Sequence, residues 1–233
     1  MPALDHVTIR ATDPGTSMRL YRAVLGALSP GAGARQIQVA RATAGEPATR
    51  GAHIAFAAGS RGQVEEFWRA GLDAGFADDG PPGVRPRYRP DYFGAFLRDP
   101  DGNSVEAVHH GDAGTRRTGG VIDHVWAGVD DLGATRRFYD AIAPHAGLTA
   151  RTFPSLPGLV QFRAADGTSC SFVADGRPAT RNLHLAFPAP DEDAVAAFHA
   201  AALRAGGRPD GLRGVLDPDG TRVEAVLTRG VDP

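Results

Sequence analysis

The feature that most constrains this chain is an internal repeat. The segment "LDHV" at residues 4–7 returns as "IDHV" at residues 122–125, so that His124 follows His6 by 118 positions. The segment "DPDGNSVEAV" at residues 99–108 returns as "DPDGTRVEAV" at residues 217–226, again after 118 positions. Two matched halves of this length are each long enough to form a domain, so the repeat predicts tandem domains of one architecture.

A second pair of histidines shows where the halves differ. "AHIAF" around His53 returns as "LHLAF" around His184, but here the separation is 131 positions. One half has therefore gained about 13 residues before its second histidine and lost a similar number after it. We expect domains at residues 1–112 and 121–233, joined by a polar, glycine-rich linker at residues 113–120.

Local patterns predict the elements of each half. The segments "DHVTIRA" and "DHVWAGV" are rich in β-branched and apolar residues, as strands are, and each precedes a helical pattern. Asp13 is a good N-cap for the first helix, Pro14 suits its first turn, and we expect Gly26 to end it. D-P-D-G is a turn sequence that joins two strands as a hairpin. Each half is thus expected to contain two βαβββ modules, which gives an α+β fold.

Composition excludes several kinds of function. The 233 residues carry a net charge of −2, with 25 basic and 27 acidic residues interleaved, so neither a nucleic-acid stripe nor a polybasic membrane patch is expected. All the basic residues are arginine, which excludes lysine Schiff-base chemistry. Cys170 is a single cysteine, the start "MPALDHV" lacks signal-peptide features, and a cytoplasmic location is expected.

Each half carries three potential metal ligands in the same order. A glutamate within an apolar strand is costly to bury unless something compensates its charge, and two nearby imidazoles suggest a metal ion as the compensation. The alternative is that these residues have structural roles that were copied with the rest of the repeat. The six candidate ligands are His6, His53 and Glu106 in the first half, and His124, His184 and Glu224 in the second.

These motifs resemble the vicinal oxygen chelate superfamily. The resemblance rests on a histidine in "LDHVTI", a second in "AHIAF" and a glutamate in "DPDGNSVEAV", and it covers nearly the whole chain. The superfamily includes glyoxalase I, fosfomycin-resistance thiol transferases, bleomycin-resistance proteins, methylmalonyl-CoA epimerases and extradiol dioxygenases. The resemblance implies an open β cup in which a divalent ion (Fe, Mn, Ni, Zn or Co) chelates substrate oxygens.

The resemblance allows two groupings of the ligands. Each half can supply its own set, which would place His6, His53 and Glu106 together. Some members of the superfamily exchange strands between domains, which would instead group His6 with His184 and Glu224, and His124 with His53 and Glu106. Both groupings are compatible with the sequence.

Departures from individual families narrow the expected reaction. Glyoxalase I enzymes carry a further glutamate before the second histidine, but Glu46 lies in a loop-like segment and "SCSFVAD" offers none. Extradiol dioxygenases have a tyrosine where this chain has Phe96 and Gly214. Both activities are therefore disfavoured, with Tyr88 or Tyr92 as the alternative source of the dioxygenase tyrosine. The opening His-x-Thr of thiol transferases is matched by His6-Val7-Thr8, which makes Thr8 a candidate substrate contact.

A cluster before the first hairpin is the other candidate substrate-binding segment. Its arginines suit a carboxylate or phosphonate and its tyrosines can stack or donate hydrogen bonds, although a solvated loop has the same composition. The second half lacks this segment, so the first site is expected to be the active one if only one is. The cluster consists of Arg87, Tyr88, Arg89 and Tyr92, whereas His109, His110 and His145 are expected to be surface residues and not metal ligands.

We therefore expect a metal-dependent enzyme of the vicinal oxygen chelate type that acts on a small oxygen-bearing metabolite or xenobiotic. Its reaction could be that of a lyase, an isomerase, a thiol transferase or an oxygenase. The alternative is a non-catalytic drug-binding protein of the bleomycin-resistance type. The expected partner is a small molecule, with the chain acting as a monomeric pseudo-dimer or as a homodimer.

Overall fold

The computed structural model describes residues 3–29, 35–111 and 121–228. The predicted linker at residues 113–120 lies outside the described residues. Four helices and fourteen strands follow one another along the described ranges. They are β1 (His6–Ala11), α1 (Pro14–Leu28), β2 (Ile37–Arg41), β3 (His53–Ala57), α2 (Arg61–Ala74), β4 (Ala77–Val84), β5 (Phe93–Arg98), β6 (Ser104–His109), β7 (Ile122–Gly128), α3 (Leu132–Ile142), β8 (Leu148–Thr152), β9 (Leu159–Ala164), β10 (Ser169–Val173), β11 (His184–Ala189), α4 (Glu192–Arg204), β12 (Arg208–Asp210), β13 (Gly214–Leu216) and β14 (Arg222–Leu227).

The strands form two sheets, and each sheet contains strands from both halves of the sequence. The six-stranded sheet has the order β12-β13-β14-β11-β1-β2, and the eight-stranded sheet has the order β4-β5-β6-β3-β7-β10-β9-β8. The halves meet where β1 pairs antiparallel with β11 and where β3 pairs antiparallel with β7. Each sheet thus draws on both predicted domains, while the boundaries of those domains stay a prediction. The predicted α+β class is confirmed.

The modules are not equal in size, which explains the changing repeat distance. The second, third and fourth modules each have the βαβββ order, whereas the first contributes only β1, α1 and β2 within the described residues. Before its second histidine the second half forms β8, β9 and β10, where the first half forms β2 alone. The additional hairpin explains why His53 and His184 are 131 positions apart, whereas His6 and His124 are 118 positions apart.

Helix α1 begins where the sequence predicted, with a side-chain N-cap at Asp13. The Asp13 carboxylate accepts a hydrogen bond from the backbone N–H of Thr16, and Pro14 occupies the first helical position. The expectation that Gly26 ends α1 is wrong, because the helix continues to Leu28. Gly26 is exposed on the outer side of the helix, so the only consequence of its missing side chain is weaker helix propensity.

The repeated D-P-D-G segment is both a turn and a buried polar anchor. Oδ1 of Asp99 accepts backbone N–H bonds from Asp101 and Asn103, and Oδ2 accepts the hydroxyl of Tyr21 from α1. The same bonds recur in the second copy, where Asp217 accepts from Asp219 and Thr221 and from the hydroxyl of Tyr139 in α3. The repeat therefore ties α1 and α3 each to the turn that precedes a candidate glutamate ligand.

A continuous apolar core joins the two halves. It is formed by the inward faces of the sheets and the helices above them, including Phe67, Phe138, Phe187 and Phe198, all fully buried. Among the described residues no helix has the length and apolarity required to cross a membrane.

Candidate functional site

The strand exchange decides how the six candidate ligands are grouped. His53, Glu106 and His124 form one cluster whose potential ligand atoms all lie within 4.8 Å of one another. His6, His184 and Glu224 form a second cluster that meets the same limit. Each cluster takes ligands from both halves of the sequence, so the grouping within a single half is not the one the structure adopts.

Strand register places the first cluster on one face of the eight-stranded sheet. Ala55 of β3 lies opposite His124 of β7 on one side and opposite Glu106 of β6 on the other. Since side chains two residues apart on a strand share a face, His53 lies on the same face as Ala55. The methyl group of Ala55 leaves open the space in which the three larger side chains converge.

The side-chain atoms of the first cluster converge closely. Nε2 of His53 lies 3.2 Å from Nε2 of His124 and 3.0 Å from Oε2 of Glu106. Nε2 of His124 lies 3.6 Å from the same oxygen. The Glu106 side chain is only 2% exposed, so its charge has little access to solvent.

Further side chains orient each of these three groups. Nδ1 of His124 lies 2.7 Å from Oδ1 of Asp123, and Nδ1 of His53 lies 3.0 Å from Oγ of Ser104. Partners of this kind at Nδ1 hold the imidazole so that Nε2 is presented as the ligand atom. The hydroxyl of Tyr92 donates to Oε1 of Glu106 at 2.7 Å. Burial, with the nearby Glu106 carboxylate, raises the pKa of Tyr92 well above its usual value, so the hydroxyl remains a donor.

This donor set fits a divalent metal ion. With their Nδ1 atoms engaged by Asp123 and Ser104, His124 and His53 can both direct Nε2 lone pairs at a point also faced by Oε2 of Glu106. Three acceptor atoms that meet in a buried place would be stabilised by a cation between them. Two imidazoles and one carboxylate, with the remaining positions open, are a set used by Fe(II), Zn(II) and similar ions.

A cavity of about 920 Å³ opens above the first cluster. Arg87, Tyr88, Arg89 and Tyr92, the substrate-binding candidates from the loop before β5, all line it. Thr8 belongs instead to the second cluster, where its hydroxyl lies 3.2 Å from Nδ1 of His184. The repeat explains this difference, because the residue 118 positions after Thr8 is Trp126, and Trp126 lines the cavity.

The cavity wall is rich in arginine, and most of these arginines have partners. Arg89 pairs with Asp91, and Arg98 pairs with Asp79. Among the described residues, the side chain of Arg163 in β9 has no ion-pair or hydrogen-bond partner, and the guanidinium of Arg87 interacts with the hydroxyl and ring of Tyr88 alone. These unneutralised guanidinium groups favour an anionic ligand. Six arginines line the cavity, namely Arg50, Arg87, Arg89, Arg98, Arg163 and Arg177.

His110 lies outside both ligand clusters, as expected, but it faces the cavity and not the outer surface. This residue is half-buried and lines the cavity, where its Nε2 lies 2.8 Å from Oδ2 of Asp123. Its Nδ1 is buried without a hydrogen-bond partner. His109 is half-buried and His145 is exposed, and neither belongs to a ligand cluster in the described part of the chain.

The second cluster differs from the first through Arg222. Its guanidinium donates to Oε2 of Glu224 at 3.1 Å and to Oδ2 of Asp210 at 2.6 Å. Nε2 of His184 lies 3.3 Å from Oε1 of Glu224, but without the angle of a hydrogen bond. The His184 ring and the Arg222 guanidinium lower the pKa of Glu224 to about 2. The Glu224 side chain is 17% exposed, far more than that of Glu106.

The fourth carboxylate of glyoxalase I has no counterpart in the first cluster. Strand β10 runs beside β7, with Ser169 opposite His124, and Ser169 and Ser171 are the residues of β10 on that face. Glu46 is exposed and pairs with Arg10. Within the described ranges, the first cluster therefore contains three candidate ligands.

Sequence reasoning missed several residues of the site. Asp5 and Asp123 each contact Nδ1 of the histidine that follows them, and the repeated "DH" dipeptide was the available signal. No local sequence pattern marks Trp126 and Arg163 as site residues, because they reach the cavity only through the pairing of distant strands. Arg222 could have been found by aligning the two hairpins, because it is a charged residue at the position of Ser104.

Comparisons with known proteins agree with this architecture. Residues 3–107 match the model of the Glyoxalase/Bleomycin resistance protein/Dioxygenase superfamily. Glyoxalase I from Zea mays is similar over 96% of this chain and 92% of its own, with 17% identity and a TM-score of 0.61. A putative dioxygenase from Bacillus subtilis is similar over 96% of this chain and 84% of its own, with 15% identity and a TM-score of 0.58.

A shorter structure matches at higher identity. A glyoxalase/bleomycin resistance protein from Albidiferax ferrireducens is 33% identical over 46% of this chain and 98% of its own, with a TM-score of 0.39. Among curated proteins, none matches the chain. The two long matches, at 17% and 15% identity, show a shared fold.

Proposed function

Since residues 3–107 match the model of the Glyoxalase/Bleomycin resistance protein/Dioxygenase superfamily and the whole chain shares the glyoxalase fold, we propose that it is a metal-dependent enzyme acting on a small anionic molecule. The observation that carries the proposal is the convergence of His53, Glu106 and His124 at the cavity. Their ligand atoms meet where no arginine of the described residues pairs with the Glu106 carboxylate, and each is held by its own hydrogen-bond partner. A bound ion would act as a Lewis acid on the oxygens of the substrate.

The chain's own residues would bind and orient that substrate. Arg163 and Arg87 supply positive charge for a carboxylate or a similar anion. Trp126 and Phe96 line the cavity as apolar walls on which a flat molecule can pack. The proposed substrate is therefore a small molecule with a negatively charged end and an oxygen-bearing end that reaches the metal.

One group is suited to proton transfer in this cavity. His110 is oriented by Asp123 through Nε2, and its Nδ1 is free of hydrogen bonds to protein. An imidazole held by a carboxylate is a common general acid and base. Since no further carboxylate joins the three ligands in the described part of the chain, His110 is the residue we propose for this role. Without a fourth carboxylate among the described residues at this cluster, the glyoxalase I reaction is disfavoured.

The test begins with metal content. Protein purified without chelators should hold about one divalent ion per chain, measured by elemental analysis and by titration of metal-free protein. His53→Ala should lose this ion, and His199→Ala, which changes a half-buried histidine of α4 outside both clusters, serves as the control. Both variants must show a cooperative thermal transition, so that loss of metal is not loss of fold.

A failure to bind metal would favour the alternative, a non-catalytic drug-binding protein. If neither the native chain nor the metal-free chain binds a divalent ion, the enzyme proposal fails. Stabilisation by large drug molecules under those conditions would then indicate a sequestering protein, since the cavity of about 920 Å³ can hold a drug-sized ligand.

A further inference from the structure

The two ligand clusters are related by the repeat, but they differ at one aligned position. Ser104 lies opposite His53 in the parallel pair of β3 and β6. Arg222 lies opposite His184 in the parallel pair of β11 and β14. The two positions are 118 residues apart and occupy the same place beside their histidines. The repeat has therefore exchanged a small neutral side chain for a cation.

The guanidinium of Arg222 is held firmly at the second cluster. It donates to Glu224 at 3.1 Å on one side and to Asp210 at 2.6 Å on the other. Gly214 makes room for it, since a Cβ at this position would lie 2.5 Å from Cζ of Arg222. The residue 118 positions before Gly214 is Phe96, which lines the cavity at the first cluster.

We propose that Arg222 is a built-in cation that excludes divalent metal from the second cluster. The carboxylate of Glu224 that would bind the ion already pairs with the guanidinium, and an ion there would face a fixed positive charge a few ångströms away. Among the described residues Glu106 has no guanidinium partner, and its Oε1 accepts instead from the neutral Tyr92 hydroxyl. One chain thus contains one metal-binding cluster and one closed by an internal ion pair.

The remainder of the second cluster is still suited to a metal. His6 is held through Nδ1 by Asp5 at 2.7 Å, as His124 is by Asp123. Nε2 of His184 is buried without a hydrogen-bond partner, and the three ligand atoms stay within 4.8 Å of one another. Removal of the guanidinium should therefore open a second site without any new ligand.

The experiment measures metal stoichiometry in the full chain. Metal-free protein is titrated with Co(II), whose visible absorption reports coordination by ring nitrogens, and bound cobalt is counted by elemental analysis. Wild type should bind about one ion, and Arg222→Ser, which copies Ser104, should bind about two. Arg222→Lys keeps a positive charge and should bind about one. Arg222→Gln keeps hydrogen-bonding capacity without charge, should also bind two, and replaces Arg222→Ser if that variant fails to fold.

A background variant separates this inference from the proposed function. In His124→Ala, which disrupts the first cluster, Arg222→Ser should restore one bound ion, and adding His184→Ala should remove it again. In the converse exchange, Ser104→Arg should weaken cobalt binding at the first cluster by more than about 100-fold. The inference is overturned if both neutral variants of Arg222 bind no more cobalt than wild type, or if wild type already fills both clusters. If wild type binds none while Arg222→Ser binds one through His184, the proposed function fails and the inference stands.

Discussion

The hydroxyl of Tyr92 donates a 2.7 Å hydrogen bond to Oε1 of Glu106, while Oε2 of the same carboxylate faces His53 and His124. One residue of the predicted substrate-binding loop therefore holds a candidate metal ligand. Gly94 permits this contact, since a Cβ there would lie 2.7 Å from Oε1 of Glu106. Tyr92 is thus a positioning residue for the ligand.

Tyr92→Phe should weaken metal binding at the first cluster by about tenfold, because partners of metal ligands typically contribute 10- to 100-fold in affinity. Titration calorimetry of metal-free protein provides the measurement. Tyr88→Phe is the matched control, since the Tyr88 hydroxyl contacts Arg87 and no ligand. Equal affinities in the two variants would contradict a positioning role for Tyr92.

Asp123→Asn should lower metal affinity by about 10- to 100-fold, because Asp123 holds Nδ1 of His124 at 2.7 Å. Asp5→Asn makes the same change beside His6 of the second cluster and should leave binding unaltered if only the first cluster takes up metal. Competition against a colorimetric chelator measures both affinities. A similar loss in both variants would instead indicate that both clusters bind metal.

Arg163→Gln should weaken the binding of an aromatic carboxylate by about tenfold, because a hydrogen bond to a charged group contributes roughly 1.5–3 kcal/mol. Salicylate, which offers a carboxylate and a hydroxyl, is a suitable probe of the metal-loaded chain. Arg136→Gln, a change on exposed α3 away from the cavity, serves as the control. An unchanged salicylate affinity in Arg163→Gln would remove Arg163 from the proposed binding site.

Gly26→Ala should stabilise the fold by about 0.5–1 kcal/mol, because Gly26 is exposed within α1 and a Cβ there would meet nothing within 4 Å. Gly71→Ala makes the same exchange within α2 and should destabilise, because its Cβ would lie 2.2 Å from Cδ1 of Leu97. Urea unfolding gives both free energies. Opposite signs are the expected outcome, and equal signs would contradict the packing described at these two helices.

Asp217 should make stability depend on pH. Burial raises its pKa to about 6 from 3.8, against the effect of the hydrogen bonds it accepts. A raised carboxyl pKa means that the folded chain favours the protonated form. The contribution of protonated Asp217 to the free energy of unfolding is therefore complete below about pH 4 and is lost as pH rises through 6.

Asp217→Asn cannot ionise at this position, so its stability relative to wild type should rise by up to about 3 kcal/mol between pH 4 and pH 7. Urea unfolding of both proteins at several pH values gives this difference. A difference that stays constant, or that falls as pH rises, would contradict the raised pKa.

Much of the fold followed from the sequence because its signals are local. The cap at Asp13, the strand before it and the D-P-D-G hairpin each depend on residues within a few positions of one another. The one local error, at Gly26, arose because a single glycine costs a helix only about 1 kcal/mol, which packing of the buried face of α1 readily offsets.

The sequence by itself determined the repeat, the α+β modules and the six candidate ligands, since all of these are properties of residue type and spacing. Only the tertiary structure decided that His53 and Glu106 meet His124, because β3 pairs with β7 across the two halves. The same pairing brought Arg163 to the cavity and separated Thr8 from it. Hydrogen bonding between distant strands carries no local sequence signature. For that reason the six candidate ligands could be identified from the sequence, but their grouping into two clusters could not.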